Sequence, residues 1–185
     1  MSTGQTFMVI AAMMLLGTLS LSVNTTLINS SSTGLEMEAG LDALSYGQSL
    51  LDEILAREFD EKTLTYRAFN YSDLTPIALL GKDNGESIPQ PDSSASDDFH
   101  SKRKFDDVDD YHNYVRINRN SRLDNFTETT AIEYVQEANP DALALSPTFY
   151  KRVTVTISNP YMVKDLNGNV FPLVLWDIAV YRKYF

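Results

Sequence analysis

The chain has 185 residues, of which 25 are acidic and 15 are basic, so its formal net charge is −10, and it contains no cysteine. This length is sufficient for one globular domain of ordinary size. The lack of cysteine excludes disulfides, thiolate metal sites and cysteine nucleophiles. The acidic excess argues against nucleic acid as a partner, because neutralising phosphates requires clustered Lys and Arg.

The N-terminal segment has the most distinctive composition. No ionisable side chain occurs before Glu36, and the run from Phe7 to Val23 is apolar apart from single Gly, Thr and Ser residues. About 20 apolar residues are enough for a helix to cross the hydrocarbon of a bilayer. A cleaved signal peptide would carry basic residues before its apolar core, and the six residues before Phe7 contain none. We therefore expect this segment to stay on the chain and to enter a membrane.

An amphipathic pattern follows the apolar run. Large apolar residues recur at helical spacing, which predicts one apolar stripe along a helix. These residues are Met37, Leu41, Leu44, Leu51 and Leu55. The two patterns together predict one N-terminal helix over residues 1–59, with a membrane or filament-core half at 1–35 and an amphipathic half at 36–59. Because serine and glycine weaken a helix, we expect a kink or a locally unwound stretch at residues 29–34.

Residues 60–185 are predicted to form a strand-rich globular domain. Alternation predicts a first strand at Thr63–Tyr71, and a tract rich in Gly, Pro, Ser and Asp predicts an irregular surface loop at residues 81–104. Three further strands are expected, with a tight turn between the last two. These strands cover Thr129–Ala138, Tyr150–Ser158 and Val170–Tyr184, and the turn covers Asp165–Asn169. The predicted fold class is α+β, in which the long helix packs its amphipathic stripe against an antiparallel sheet.

A dense acidic group follows the predicted loop. It contains Asp106, Asp107, Asp109 and Asp110. Carboxylate oxygens are preferred ligands of Ca²⁺, so a calcium site is one interpretation, although the spacing is not that of an EF-hand loop. The alternative needs no cofactor: the aspartates cap turns and pair with neighbouring basic side chains.

The sequence contains none of the familiar catalytic motifs. There is no phosphate-binding glycine loop, no HExxH and no nucleophile elbow. We therefore do not expect an enzyme.

The order of these elements resembles a type IV pilin or one of the related pseudopilins. In that family a long helix, apolar in its first half and amphipathic in its second, precedes a small strand-rich domain. The string Gly4–Ile10 is similar to the start of a pilin helix. Gln5 stands where most pilins have glutamate, and its amide both donates and accepts hydrogen bonds.

The resemblance implies a structural subunit of an extracellular helical filament at the cell surface, of the kind used in cell adhesion. Such a subunit waits in the inner membrane before assembly, and its partners are copies of itself, with small residues letting the helices approach closely. The expected assembly residues are Gln5, Phe7, Ala11, Ala12, Leu15, Leu16, Gly17, Leu19 and Val23. Two alternatives stay open: a single-pass membrane protein whose outer domain binds a ligand or partner, and a minor pseudopilin of a secretion system.

Overall fold

The computed structural model describes residues 3–83, 85–93, 98–119, 122–123 and 125–182. The predictions that fall on residues 1–2, 84, 94–97 and 183–185 lie outside this part of the chain. The chain divides into two compact units, Met1–Glu38 and Ala39–Phe185. Each unit is described by itself.

The first unit belongs to a single α-helix, α1, which runs from Thr3 to Leu55 and continues into the second unit. All its described residues through Gly34 are solvent-exposed. The helix is uninterrupted over residues 29–34, so the predicted unwound stretch is wrong. The hydroxyl of Thr33 donates a hydrogen bond to the main-chain oxygen of Asn29 at 3.0 Å. Such a bond satisfies the hydroxyl within the helix, although it shares the carbonyl that accepts a helical backbone bond.

The part of α1 in the second unit buries a face made of three small and three large apolar residues. These buried residues are Ala39, Ala43, Gly47, Leu50, Leu51 and Ile54. The helix and the sheet approach closely at Gly47, where an added Cβ would lie 2.5 Å from Cδ1 of Ile157 and 2.9 Å from Cδ1 of Leu175. At this separation only small side chains fit between the two layers.

The predicted apolar stripe of α1 is therefore only partly correct. Leu51 is buried and Leu55 is half-buried, but Met37, Leu41 and Leu44 are 67%, 69% and 46% exposed. Helical periodicity identified an apolar face of α1. The neighbouring face packs against the sheet instead, because its small residues let the helix backbone come closer to the sheet.

The segment after α1 is helical where a strand was predicted at Thr63–Tyr71. A short helix, α2, covers Glu61–Thr65. Asp60 caps its start by accepting a hydrogen bond from the Lys62 N–H at 3.2 Å, and the Thr63 hydroxyl accepts one from the Asp60 N–H at 3.2 Å. This reciprocal capping outweighs the weak alternation that suggested a strand.

Six strands form one sheet. They are β1 (Asp92–Ser93), β2 (Val115–Asn118), β3 (Phe126–Gln136), β4 (Asn139–Leu143), β5 (Tyr150–Ser158) and β6 (Leu173–Val180). The order is β1-β2-β3-β5-β6, with β4 paired to β3, and every pair except β1 with β2 is antiparallel. The predicted α+β class, a long helix packed against a mostly antiparallel sheet, is confirmed.

The predicted hairpin at the end of the chain is also confirmed. Strands β5 and β6 pair from Tyr150 with Val180 to Ile157 with Leu173. At the tip, the Asp165 carboxylate accepts hydrogen bonds from the N–H groups of Asn167 and Asn169, both at 2.8 Å. Gly168 has a φ of 85°, a left-handed conformation that glycine adopts without strain.

The described residues of the predicted irregular loop at 81–104 include regular structure that the composition did not suggest. It contains β1 and a four-residue helix, α3 (Ser101–Lys104). Asp92 and Ser101 are fully buried, and the Arg116 guanidinium lies over the Phe99 ring at 4.0 Å from its centroid. Polar residues of the tract are buried because they bond to one another, which composition alone does not reveal.

Candidate functional site

The predicted assembly residues all lie on the exposed surface of α1. In the most apolar 18-residue window of this helix, none of the residues is buried. Fully burying one Leu, Val or Phe side chain contributes a favourable free energy of about 1.5–3 kcal/mol. Burial of this surface in lipid or against another protein is therefore strongly favourable. By length and composition the helix is sufficient to cross a membrane. A membrane anchor or signal segment satisfies the same two criteria.

Gln5, Ala11, Ala12 and Gly17 are exposed like the larger assembly residues. A Cβ added at Gly17 would meet no atom within 4 Å. The backbone at this position is therefore open to close approach by another helix, as small residues allow in membrane bundles.

The second unit carries exposed apolar residues of its own. Leu41 and Leu44 on α1 are exposed, beside the face that is buried. A second group lies on and next to the hairpin of β5 and β6. Its members are Tyr161, Val163, Leu166, Phe171, Val174 and Trp176. Contiguous exposed apolar patches often mark surfaces that bind other proteins or membranes.

The four aspartates proposed as calcium ligands do not converge on one point. Asp107 and Asp110 cap each other's turn: the Asp110 N–H donates to Asp107 Oδ1 at 3.1 Å, and Asp110 Oδ2 accepts from the Asp106 N–H at 3.1 Å. Asp109 turns away to pair with the Nζ of Lys151. The turn caps agree with the cofactor-free alternative, but the partner of Asp109 is Lys151, which lies 42 positions away along the chain and is not a neighbouring basic side chain.

One smaller group of carboxylates does lie together. Asp106, Asp110 and Glu86 each place one oxygen within 4.8 Å of the others. Burial, followed by the hydrogen bond to Glu86, raises the pKa of Asp110 to about 9. The raised pKa means that burial and the neighbouring carboxylates disfavour the charged form of Asp110.

Sequence analysis missed the buried ion-pair network around Lys151. The Lys151 side chain is fully buried, and its Nζ donates to the main-chain oxygen of Phe59 at 2.6 Å, to Asp60 Oδ2 at 3.0 Å and to Asp109. Burial raises the pKa of Asp60, but the charge of Lys151 and a hydrogen bond from the Thr75 N–H outweigh it, so that the pKa is lowered. The signal was present in the sequence: Lys151 precedes Val153 by two positions, and so shares the inward face of β5.

A second buried network joins α1 to strands β2 and β3. Arg116 Nη2 lies 2.7 Å from Glu53 Oε2, and Arg116 Nη1 lies 3.9 Å from Glu128 Oε2. Neither carboxylate oxygen of Glu128 has a hydrogen-bond partner among the described residues. Burial raises the pKa of Glu128 to about 7, against the opposing charge of Arg116. The network links the helix to the sheet through side chains.

Asp92, His100 and Ser101 lie next to one another but are not arranged as a catalytic triad. His100 Nδ1 lies 2.7 Å from Asp92 Oδ1. The Ser101 hydroxyl is buried and donates to Glu53 Oε1 at 2.9 Å. The proton of this serine therefore points to Glu53, where no imidazole can remove it.

Comparisons of the chain with protein-family models, with curated proteins and with solved structures give no match.

Proposed function

We propose that this chain is a pilin-like structural subunit, which assembles into an extracellular helical filament through the apolar part of α1. One observation carries the proposal: the most apolar stretch of α1 has no buried residue in the isolated chain. A surface of this size is unstable in water, and it calls for lipid or for other helices of the same kind.

The apolar part of α1 would lie first in lipid and then among other helices of the same kind. Before assembly, the segment from Phe7 to Ile28 lies in the inner membrane, where its length matches the hydrocarbon thickness. During assembly, copies of the same helix replace the lipid around it, and exposed small residues such as Ala12 and Gly17 let these helices approach. The contact is heterologous, so that it extends into a helical filament without closing into a ring.

The second unit supports the same proposal. Leu41 and Leu44 on α1 and the hairpin residues Val163, Leu166 and Phe171 form different exposed apolar surfaces of one unit. Two different surfaces on one chain are what a heterologous contact between neighbouring copies requires.

The test is the substitution Gly17→Trp in the full chain. No atom lies within 4 Å of a Cβ added at Gly17, so the indole does not disturb the chain itself, but it would block close helix packing. We expect filaments from the unsubstituted chain, none from Gly17→Trp and normal ones from the control Gly17→Ala, as judged by negative-stain electron microscopy.

Normal filaments from Gly17→Trp would contradict the proposed packing. Purified native material that contains only monomers in detergent would instead favour a single-pass anchored protein, and short fibres alone would favour a pseudopilin.

A further inference from the structure

A pocket in the second unit collects arginine side chains. Its volume is about 650 Å³, within the range of sites for small organic ligands. Three arginines from different parts of the chain line it: Arg57 follows α1, Arg67 follows α2, and Arg182 follows β6. Such a local excess of positive charge contrasts with the net charge of −10 of the whole chain.

These arginines are not neutralised within the described part of the chain. No carboxylate oxygen there lies within 4.0 Å of a guanidinium nitrogen of Arg57, Arg67 or Arg182. Arg57 Nη2 donates to the main-chain oxygen of Lys102 at 2.9 Å, a neutral acceptor that positions the guanidinium without forming an ion pair. One acidic residue, Glu58, also lines the pocket, so the positive charges outnumber the negative one.

The wall next to the arginines is fixed by aromatic packing. The Tyr181 ring stacks on Phe149 with centroids 5.6 Å apart and meets the Phe59 ring at 5.6 Å. The Tyr181 hydroxyl accepts a hydrogen bond from the Ala68 N–H at 3.1 Å. Because Arg182 follows Tyr181 directly and Arg67 precedes Ala68, this bond holds together the two chain segments that supply these arginines.

We propose that this pocket binds a small organic polyanion through its arginine side chains. A guanidinium group presents N–H donors in a fork that matches carboxylate and phosphate groups equally well. The pocket has room for more than one such group, and three arginines favour a ligand with at least two negative charges. The proposal is independent of filament assembly, since it needs neither the first unit nor a second copy.

The test is isothermal titration calorimetry of the full chain in a non-ionic detergent, with citrate and with pyrophosphate as probes. We expect both probes to bind and the double variant Arg67→Ala/Arg182→Ala to bind at least about tenfold more weakly, because it loses charge-assisted hydrogen bonds. Replacing both residues with lysine should restore binding only in part, because lysine keeps the charge without the fork.

The control variant is Arg119→Ala, which removes an exposed arginine outside the pocket lining and should leave both affinities unchanged. The substituted arginines are exposed, so the unfolding temperature without ligand should also be unchanged. Equal affinity of the double variant, or no binding of either probe at millimolar concentration, would overturn the proposal. A double variant that loses self-association, in a chain that binds neither probe, would assign the arginines to a contact between copies instead.

Discussion

Lys151 is the residue on which the buried polar structure of the second unit depends most. Its ammonium group faces Asp60 and Asp109, and it also lies 4.3 Å from the centroid of the Phe59 ring and 5.0 Å from that of Tyr134. Asp60 caps α2, Asp109 lies in the turn before β2, and Lys151 lies on β5. One buried cation therefore ties together three segments that are distant in sequence.

The substitution Lys151→Met should lower the free energy of unfolding by about 3–5 kcal/mol, because it leaves buried carboxylates without their counter-ion. Denaturation of the full chain in detergent, followed by the fluorescence of its single tryptophan, measures this change. The neighbouring control Arg152→Met breaks a partly exposed pair with Glu133 and should cost about 1 kcal/mol or less. Adding Asp109→Asn to Lys151→Met should recover part of the loss. Equal losses for Lys151→Met and Arg152→Met would contradict the role given to the buried cation.

At the scale of elements, helix α1 uses two faces for two purposes. Its small residues pack against the sheet, while Leu41 and Leu44 remain exposed. The close approach at Gly47 fixes which face is buried, because a larger residue there would collide with Ile157 and Leu175. The other face is left free for contacts outside the second unit.

Two glycines in the same helix provide a matched test of this packing. Gly47→Val should lower the free energy of unfolding by about 1–3 kcal/mol, because extra carbons overpack the contact with Ile157. Gly40→Val should change it by no more than about 0.5 kcal/mol, since a Cβ at Gly40 meets no atom within 4 Å. Chemical denaturation of both variants checks the difference. A Gly47→Val chain as stable as Gly40→Val would contradict the tight packing at Gly47, because it would mean that the side-chain ends of Ile157 and Leu175 shift at little cost.

At the scale of the whole molecule, exposed apolar surface occurs on both units. The first unit exposes the apolar part of α1, and the second exposes the leucines of α1 and the hairpin of β5 and β6. If these surfaces serve assembly, then removing them should affect filaments far more than folding.

The double variant Leu41→Ser/Leu44→Ser tests this separation. We expect its free energy of unfolding to stay within about 1 kcal/mol of the unsubstituted chain, as for most surface changes. We also expect fewer or shorter filaments in negative-stain images, because apolar contact area between copies is lost. Leu79→Ser, at another exposed leucine, should leave the filaments unchanged. Normal filaments from the double variant would exclude this face of α1 from the contact.

Sequence periodicity was sufficient to predict those parts of the fold that depend on residues close together in the chain. The apolar run and the helical spacing predicted α1, alternation predicted β5, and the Asp165–Asn169 turn predicted the terminal hairpin. These features depend on residues a few positions apart, and so they are readable from a single chain. The resemblance to pilins stays a prediction, because order of elements alone does not identify a family.

Only the tertiary structure decided which apolar face of α1 is buried and where the charged residues lie. The stripe of Met37, Leu41 and Leu44 was readable at helical spacing, but the neighbouring face, which holds Gly47, packs against the sheet. Lys151, Arg116 and Glu128 were ordinary polar residues in the sequence, yet they are buried because their partners come from distant segments. The sequence by itself determined the elements and the long apolar surface, because local spacing controls both. The three-dimensional packing decided the pairings, because these depend on contacts between residues far apart in the chain.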